Sequence, residues 1–393
     1  MSNVPLGYLR TFLTLLVVAH HAVLAYHPYA PPRPKSLGES MIWGAFPVVD
    51  TARWPGIELF VGFNDTFFMS LMFLISGVFA WSSLERKGGG VFFGERARKL
   101  GVAFAFSAAV LAPLAYYPTY LSLEPQTTSF VRQWLALDAW PAGPAWFLWV
   151  LLALAGVAAL VHPRLRGVYV RLGRLGERPA VFFAALVGLA ALAYLPMAAV
   201  FTSFHWASFG PFFVQTSRIF LYAVYFFAGI ALGAHGLERG LLSRNSTLAR
   251  RWPLWVLVAL FAFAASLVAF VVGVLPTLAK GGPGPVLGAV SSFAFVLSCA
   301  ASSFLFLGLF VRFARTPNRV MDSLSANAFG IYLVHYACVS WLQLALLPAP
   351  LSGAMKGTLV FIGAVLLSWG LTAAARRVAV PAGATIRFLP VRP

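Results

Sequence analysis

The sequence predicts an all-α, polytopic membrane helix bundle of about ten transmembrane helices with both termini in the cytoplasm. Three observations predict it. Of 393 residues, 60% are hydrophobic and only 10% are charged, where a soluble globular chain is about a quarter charged and under half apolar. Ten apolar runs approach the roughly 20 residues a helix needs to cross a bilayer. The 29 Lys and Arg residues are distributed unevenly between the segments joining those runs.

The runs lie at 9–29, 57–83, 100–119, 144–161, 179–199, 218–235, 253–275, 287–311, 327–347 and 357–375. The termini and the loops after even-numbered runs hold 22 of the 29 cations, and the opposite side holds 7. The positive-inside rule assigns the richer side to the cytoplasm. The first run is read as a span and not a cleaved leader. Val23-Leu24-Ala25 resembles a cleavage site, but His20 and His21 interrupt the run and only Arg10 precedes it. Residues 1–375 read as one membrane domain and 376–393 as a short basic cytoplasmic tail. The longest outer loops are 30–56, 120–143 and 200–217, and Gly88-Gly89-Gly90 reads as a flexible cytoplasmic turn.

Composition also excludes function classes. The net charge of +18 follows from the inside loops, and no soluble basic and aromatic face of the kind that binds nucleic acid is present. Thirty-six Phe, 12 Trp and 12 Tyr fit aromatic girdles at the two membrane interfaces. Cys299 and Cys338 sit in apolar runs and read as small buried hydrophobes. No GxSxG or SxxK pattern appears, and no HExxH or Cys/His cluster suggests a metal.

Ionisable side chains inside spans are costly and mark function. Arg10 and His21 are eleven residues apart, about 1100° of helical rotation and about 20° from a shared direction, with an axial separation of about 16 Å. Arg10 therefore lies at the cytoplasmic surface and His21 near mid-membrane on the same face, while His20 falls about 80° away. A neutral imidazole is cheap to bury and suits a general base or proton relay. Asp65 is the acid deepest in the second run, either orienting His21 or pairing with a neighbouring helix. Three functional classes remain open on these residues: an enzyme using His21, a transporter relaying protons through His21 and Asp65, and a structural membrane component.

Four motifs in order narrow the choice. They are Arg10 and His21 with ten residues between; Met72-Phe73-Leu74-Ile75-Ser76-Gly77 followed by Glu95-Arg96-Ala97-Arg98-Lys99-Leu100; Trp146-Phe147-Leu148; and Phe329-Gly330-Ile331-Tyr332-Leu333-Val334-His335. Together they resemble the integral-membrane acyltransferase 3 family, with a Met69 context closest to the glucan-modifying branch. The resemblance implies transfer of an acyl group, acetyl or succinyl, from cytoplasmic acyl-CoA to a hydroxyl of a carbohydrate or glycolipid in the bacterial inner membrane. It implies His21 as the base, Arg10, Arg96, Arg98 and Lys99 as the site for the donor phosphates, and Ser76, Trp146, Tyr332 and His335 as pocket residues. No permanently bound cofactor, metal or nucleic acid is expected. The sequence leaves the oligomeric state unassigned.

Overall fold

The computed structural model describes residues 3–39, 44–123 and 128–379. Residues 380–393, most of the expected basic tail, lie outside the described residues. The helices are α1 (Val4–Leu24), α2 (Ile57–Arg96), α3 (Val102–Phe106), α4 (Ala112–Leu121), α5 (Phe130–Leu135), α6 (Trp146–Gly173), α7 (Pro179–Phe201), α8 (Ile219–His235), α9 (Thr247–Arg250), α10 (Trp252–Val268), α11 (Pro285–Phe313), α12 (Arg319–Leu346) and α13 (Gly353–Ala379). One hairpin, β1 (Trp206–Phe209) and β2 (Phe212–Gln215), interrupts the outer loop before α8. Its turn uses Gly210 at φ 54°, a conformation that costs glycine little.

Nine described helical stretches, not ten, are long and apolar enough to cross a membrane, because residues 57–121 form one continuous stretch of 65 residues. At 1.5 Å per residue it would extend about 100 Å, far more than one bilayer. It breaks at Gly88, whose φ of 73° and ψ of 164° are not helical. The two arms run in opposite directions along α6. In the first arm, Phe73 meets Phe147 and Glu85 meets Arg166; in the second, Gly89 abuts Ala159, Phe93 abuts Gly156 and Gly101 abuts Leu152. The second and third expected spans are therefore both present, joined without a loop.

Local sequence explains the helix boundaries. Asn3 caps α1 by accepting from the Leu6 amide at 3.1 Å, and Asn318 caps α12 through Val320 and Met321. Tyr8 on α1 donates to Asp322 near the start of α12 at 2.7 Å, and Gln343 near the end of α12 donates to the His21 carbonyl at 2.9 Å. These two helices therefore run side by side in the same direction. Arg376 donates to the Ala326 carbonyl at 2.7 Å, so the end of α13 lies on the face where α1 begins.

Close packing centres on α2, which touches α1, α6, α8 and α11. Its crossing with α8 depends on small residues. A Cβ on Gly77 would sit 2.0 Å from the Phe226 carbonyl oxygen, one on Gly229 2.0 Å from that of Leu74, and one on Gly233 2.4 Å from that of Val78. Without a hydrophobic drive between helices in lipid, backbone approach of this kind holds the pair together. In contrast, α10 and α13 expose most of their apolar length, as helices facing acyl chains do. On the outer side, Lys356 and Asp50, each 2% exposed, form an ion pair of 2.7 Å that fastens the segment before α2 to α13.

Candidate functional site

A cavity of about 520 Å³ opens among α1, α2, α8, α12 and the β hairpin. His21 lines it, with a ring 4.9 Å from that of Tyr336 and nearly perpendicular to it. Hydrogen bonds orient this imidazole. The His335 Nδ1–H donates to the Tyr332 carbonyl at 2.7 Å, which leaves His335 Nε2 with a lone pair. The His21 Nδ1–H donates to the Val17 carbonyl at 2.8 Å and also faces His335 Nε2 at 3.3 Å. In the neutral ring this leaves His21 Nε2 as the nitrogen with a lone pair, as a proton acceptor requires. His335 is fully buried and does not line the cavity; it contributes by standing behind His21.

Adjacent histidines on one helix diverge by about 100°, and here they serve two walls. His21 turns toward α12, while the His20 ring stacks on Phe68 of α2 at 5.3 Å. Both rings line the cavity.

Asp65 also lines the cavity, but the expected orienting bond to His21 does not form. Its carboxylate is held by Arg218, whose Nη1 donates to Oδ1 at 3.0 Å and whose Nη2 donates to Oδ2. Arg218 Nη1 also reaches the Asp65 carbonyl at 3.0 Å, and the guanidinium lies 4.8 Å over the Phe295 ring. A planar guanidinium matches a carboxylate bidentately, and Arg218 is close enough to outcompete an imidazole on another wall. The orienting role falls to His335 and the Val17 carbonyl.

The remaining candidates divide. Trp146 and Tyr332 line the cavity; Trp146 stacks on Tyr222 at 5.5 Å and meets Trp206 edge-on at 5.9 Å, and the Tyr332 hydroxyl donates to the Pro144 carbonyl. Ser76 does not line it; its hydroxyl donates to the Met72 carbonyl one turn back at 2.8 Å. Its neighbour Gly77, not Ser76, lies at the close crossing with α8.

The expected anion site lies outside the cavity, toward the end of the bundle where α1 begins. Charges of Arg10, Arg96 and Lys99 act on one another, and the Lys99 ammonium lies 4.9 Å over the Phe329 ring of α12. Arg98 stands apart from these three and acts on Glu95, which is held by Lys87 at 2.6 Å. Helical spacing separates Arg98 from its neighbours at 96 and 99, since residues one or two apart do not share a face. Beside the cavity, and sharing Pro144, Tyr332 and Tyr336 with it, lies a pocket of only about 20 Å³ that Ser107 also borders.

Sequence reasoning missed Arg218, Tyr222, Trp206 and Tyr336. A signal existed for Arg218, an arginine at the mouth of an apolar run on the side that carries few cations. The other three are brought to the cavity by folding alone. Among the described residues, no group of three or more His, Cys, Asp and Glu side chains is placed to hold a metal ion.

A family model described as an acyltransferase domain matches residues 4–373. No curated protein and no solved structure matches the chain.

Proposed function

Because the chain belongs to the acyltransferase 3 family, and is therefore a multi-pass membrane acyltransferase, we propose that it moves an acetyl or succinyl group from cytoplasmic acyl-CoA to a hydroxyl of a carbohydrate or glycolipid in the bacterial inner membrane. The observation that carries this reading is the placement of His21, whose Nδ1 is held by the Val17 carbonyl and His335 while its ring lines a cavity, so that in the neutral ring Nε2 is left to accept a proton.

In the proposed reaction His21 Nε2 takes the proton of the acceptor hydroxyl while that oxygen attacks the thioester carbonyl. The carbon–sulfur bond breaks, the ester forms, and the departing sulfur takes up the proton. His335 and the Val17 carbonyl accept the Nδ1–H, so positive charge developing on the ring is met by two acceptors already in place, which is preorganisation of the kind that lowers barriers. Arg10, Arg96 and Lys99 hold the donor phosphates, since guanidinium and ammonium groups bind phosphate through charge-assisted hydrogen bonds. Along α1 the distance from Arg10 to His21 is about 16 Å, the order of an extended pantetheine arm.

Acyl transfer by purified protein from radiolabelled acetyl-CoA or succinyl-CoA, into a glycan and glycolipid extract of cells lacking the chain, tests the reading. Label in the extract that depends on the protein is the expected result. No label from either donor, with solute moved instead under a pH gradient, would replace the reaction with transport.

A further inference from the structure

Arg218 and Asp65 form an ion pair that the proposed reaction does not use. The guanidinium is buried, 8% exposed along its side chain, while the carboxylate remains 47% exposed and lines the cavity. Burying a cation is costly, and a purely structural contact is met as well by apolar groups of similar volume. This arrangement instead spends a buried arginine on fixing one carboxylate, with both Nη groups on its two oxygens, and leaves that carboxylate facing open space. A carboxylate so held presents lone pairs that accept and cannot donate.

The surrounding surface is aromatic. Trp146 stacks on Tyr222, and Trp206 meets it from the hairpin. His20 adjoins the pair, feels the charges of both Asp65 and Arg218, and has a buried Nδ1 without a partner. Apolar walls with a few fixed polar groups are the usual composition of a small-molecule site, and this pairing has a specific complement. A sugar ring offers apolar C–H faces that lie against aromatic rings and an edge of hydroxyl donors that a carboxylate accepts.

We infer that Asp65, held by Arg218 and sharing one cavity with His20, Trp146 and Trp206, is the binding site for the hydroxyl edge of the acceptor. The inference rests on the acyl-transfer reading above. It makes Asp65 an acceptor-binding residue and Arg218 its positioning residue, and it explains why neighbouring histidines face different walls. His21 meets the reacting hydroxyl, and His20 lies beside the rest of the acceptor.

The test is steady-state acyl transfer from acetyl-CoA to the glycan and glycolipid extract, with apparent KM measured separately for donor and extract. Removing one member of the pair leaves a buried charge, so Asp65→Asn is accompanied by the neutral double variant Asp65→Asn/Arg218→Gln, which keeps hydrogen bonding without charge. Both are expected to raise the KM for the extract about ten- to hundredfold, the value of a hydrogen bond to a charged group, with donor KM and saturated turnover changed less than about threefold. Asp65→Glu is expected to recover part of the loss. An unchanged extract KM in the double variant, or a loss confined to turnover or to donor KM, overturns the assignment. If the wild-type protein transfers nothing, the proposed reaction fails and this assignment with it; failure in the variants alone leaves the reaction standing.

Discussion

His335 Nε2 lies 3.3 Å from His21 Nδ1, so two histidines 314 residues apart in sequence meet nitrogen to nitrogen across α1 and α12. Because the His335 Nδ1–H is committed to the Tyr332 carbonyl, His335 meets His21 as an acceptor. His335→Ala should lower turnover about a hundredfold, the order expected when a reacting group loses its orientation, with both KM values nearly unchanged. His335→Gln, whose amide oxygen also accepts, should recover much of that loss. Steady-state kinetics of the two variants checks the distinction.

The cytoplasmic cations should divide as the structure divides them. Arg96→Ala and Lys99→Ala should each raise the acyl-CoA KM about tenfold or more, the loss of one charge-assisted hydrogen bond. Arg98→Ala, whose side chain acts on Glu95, should change it less than about twofold. Titration of donor in the transfer assay reads all three.

Gly77→Ala should prevent folding, because its Cβ would lie 2.0 Å from the Phe226 carbonyl oxygen with backbone on both sides. Ser76→Ala should be tolerated, since its hydroxyl only bonds its own helix. Size-exclusion profiles of the detergent-extracted variants distinguish the two.

The Lys356–Asp50 pair gives a stability prediction. Lys356→Ala leaves the Asp50 carboxylate buried without its partner and should cost about 3–5 kcal/mol. Replacing both, as Lys356→Met with Asp50→Leu, should recover most of the loss. Thermal unfolding in detergent measures both.

The bundle was legible in the sequence because lipid imposes a length and a polarity on every span, and because Lys and Arg mark the inside loops. The join at Gly88 was half legible: the glycine run marked the turn, yet composition does not reveal that helix continues on either side of it. His21 was legible from its spacing to Arg10 on one helix. The partners of His21 and Asp65 were not, since His335 and Arg218 arrive from α12 and from the outer end of α8, and periodicity along one helix carries no information about which faces meet. Ser76 shows the converse, a motif residue whose hydroxyl bonds its own helix and does not line the cavity.

The most direct test of the account is acyl transfer by purified His21→Ala protein, compared with wild type and with His20→Ala at saturating donor and acceptor extract. General-base catalysis is typically worth about 10²–10⁴-fold, so the His21 variant should lose at least about a hundredfold in turnover while eluting as folded protein and binding acyl-CoA normally. His20→Ala, lying on the α2 wall, should keep most of its saturated turnover. Wild-type turnover in His21→Ala would contradict the central claim.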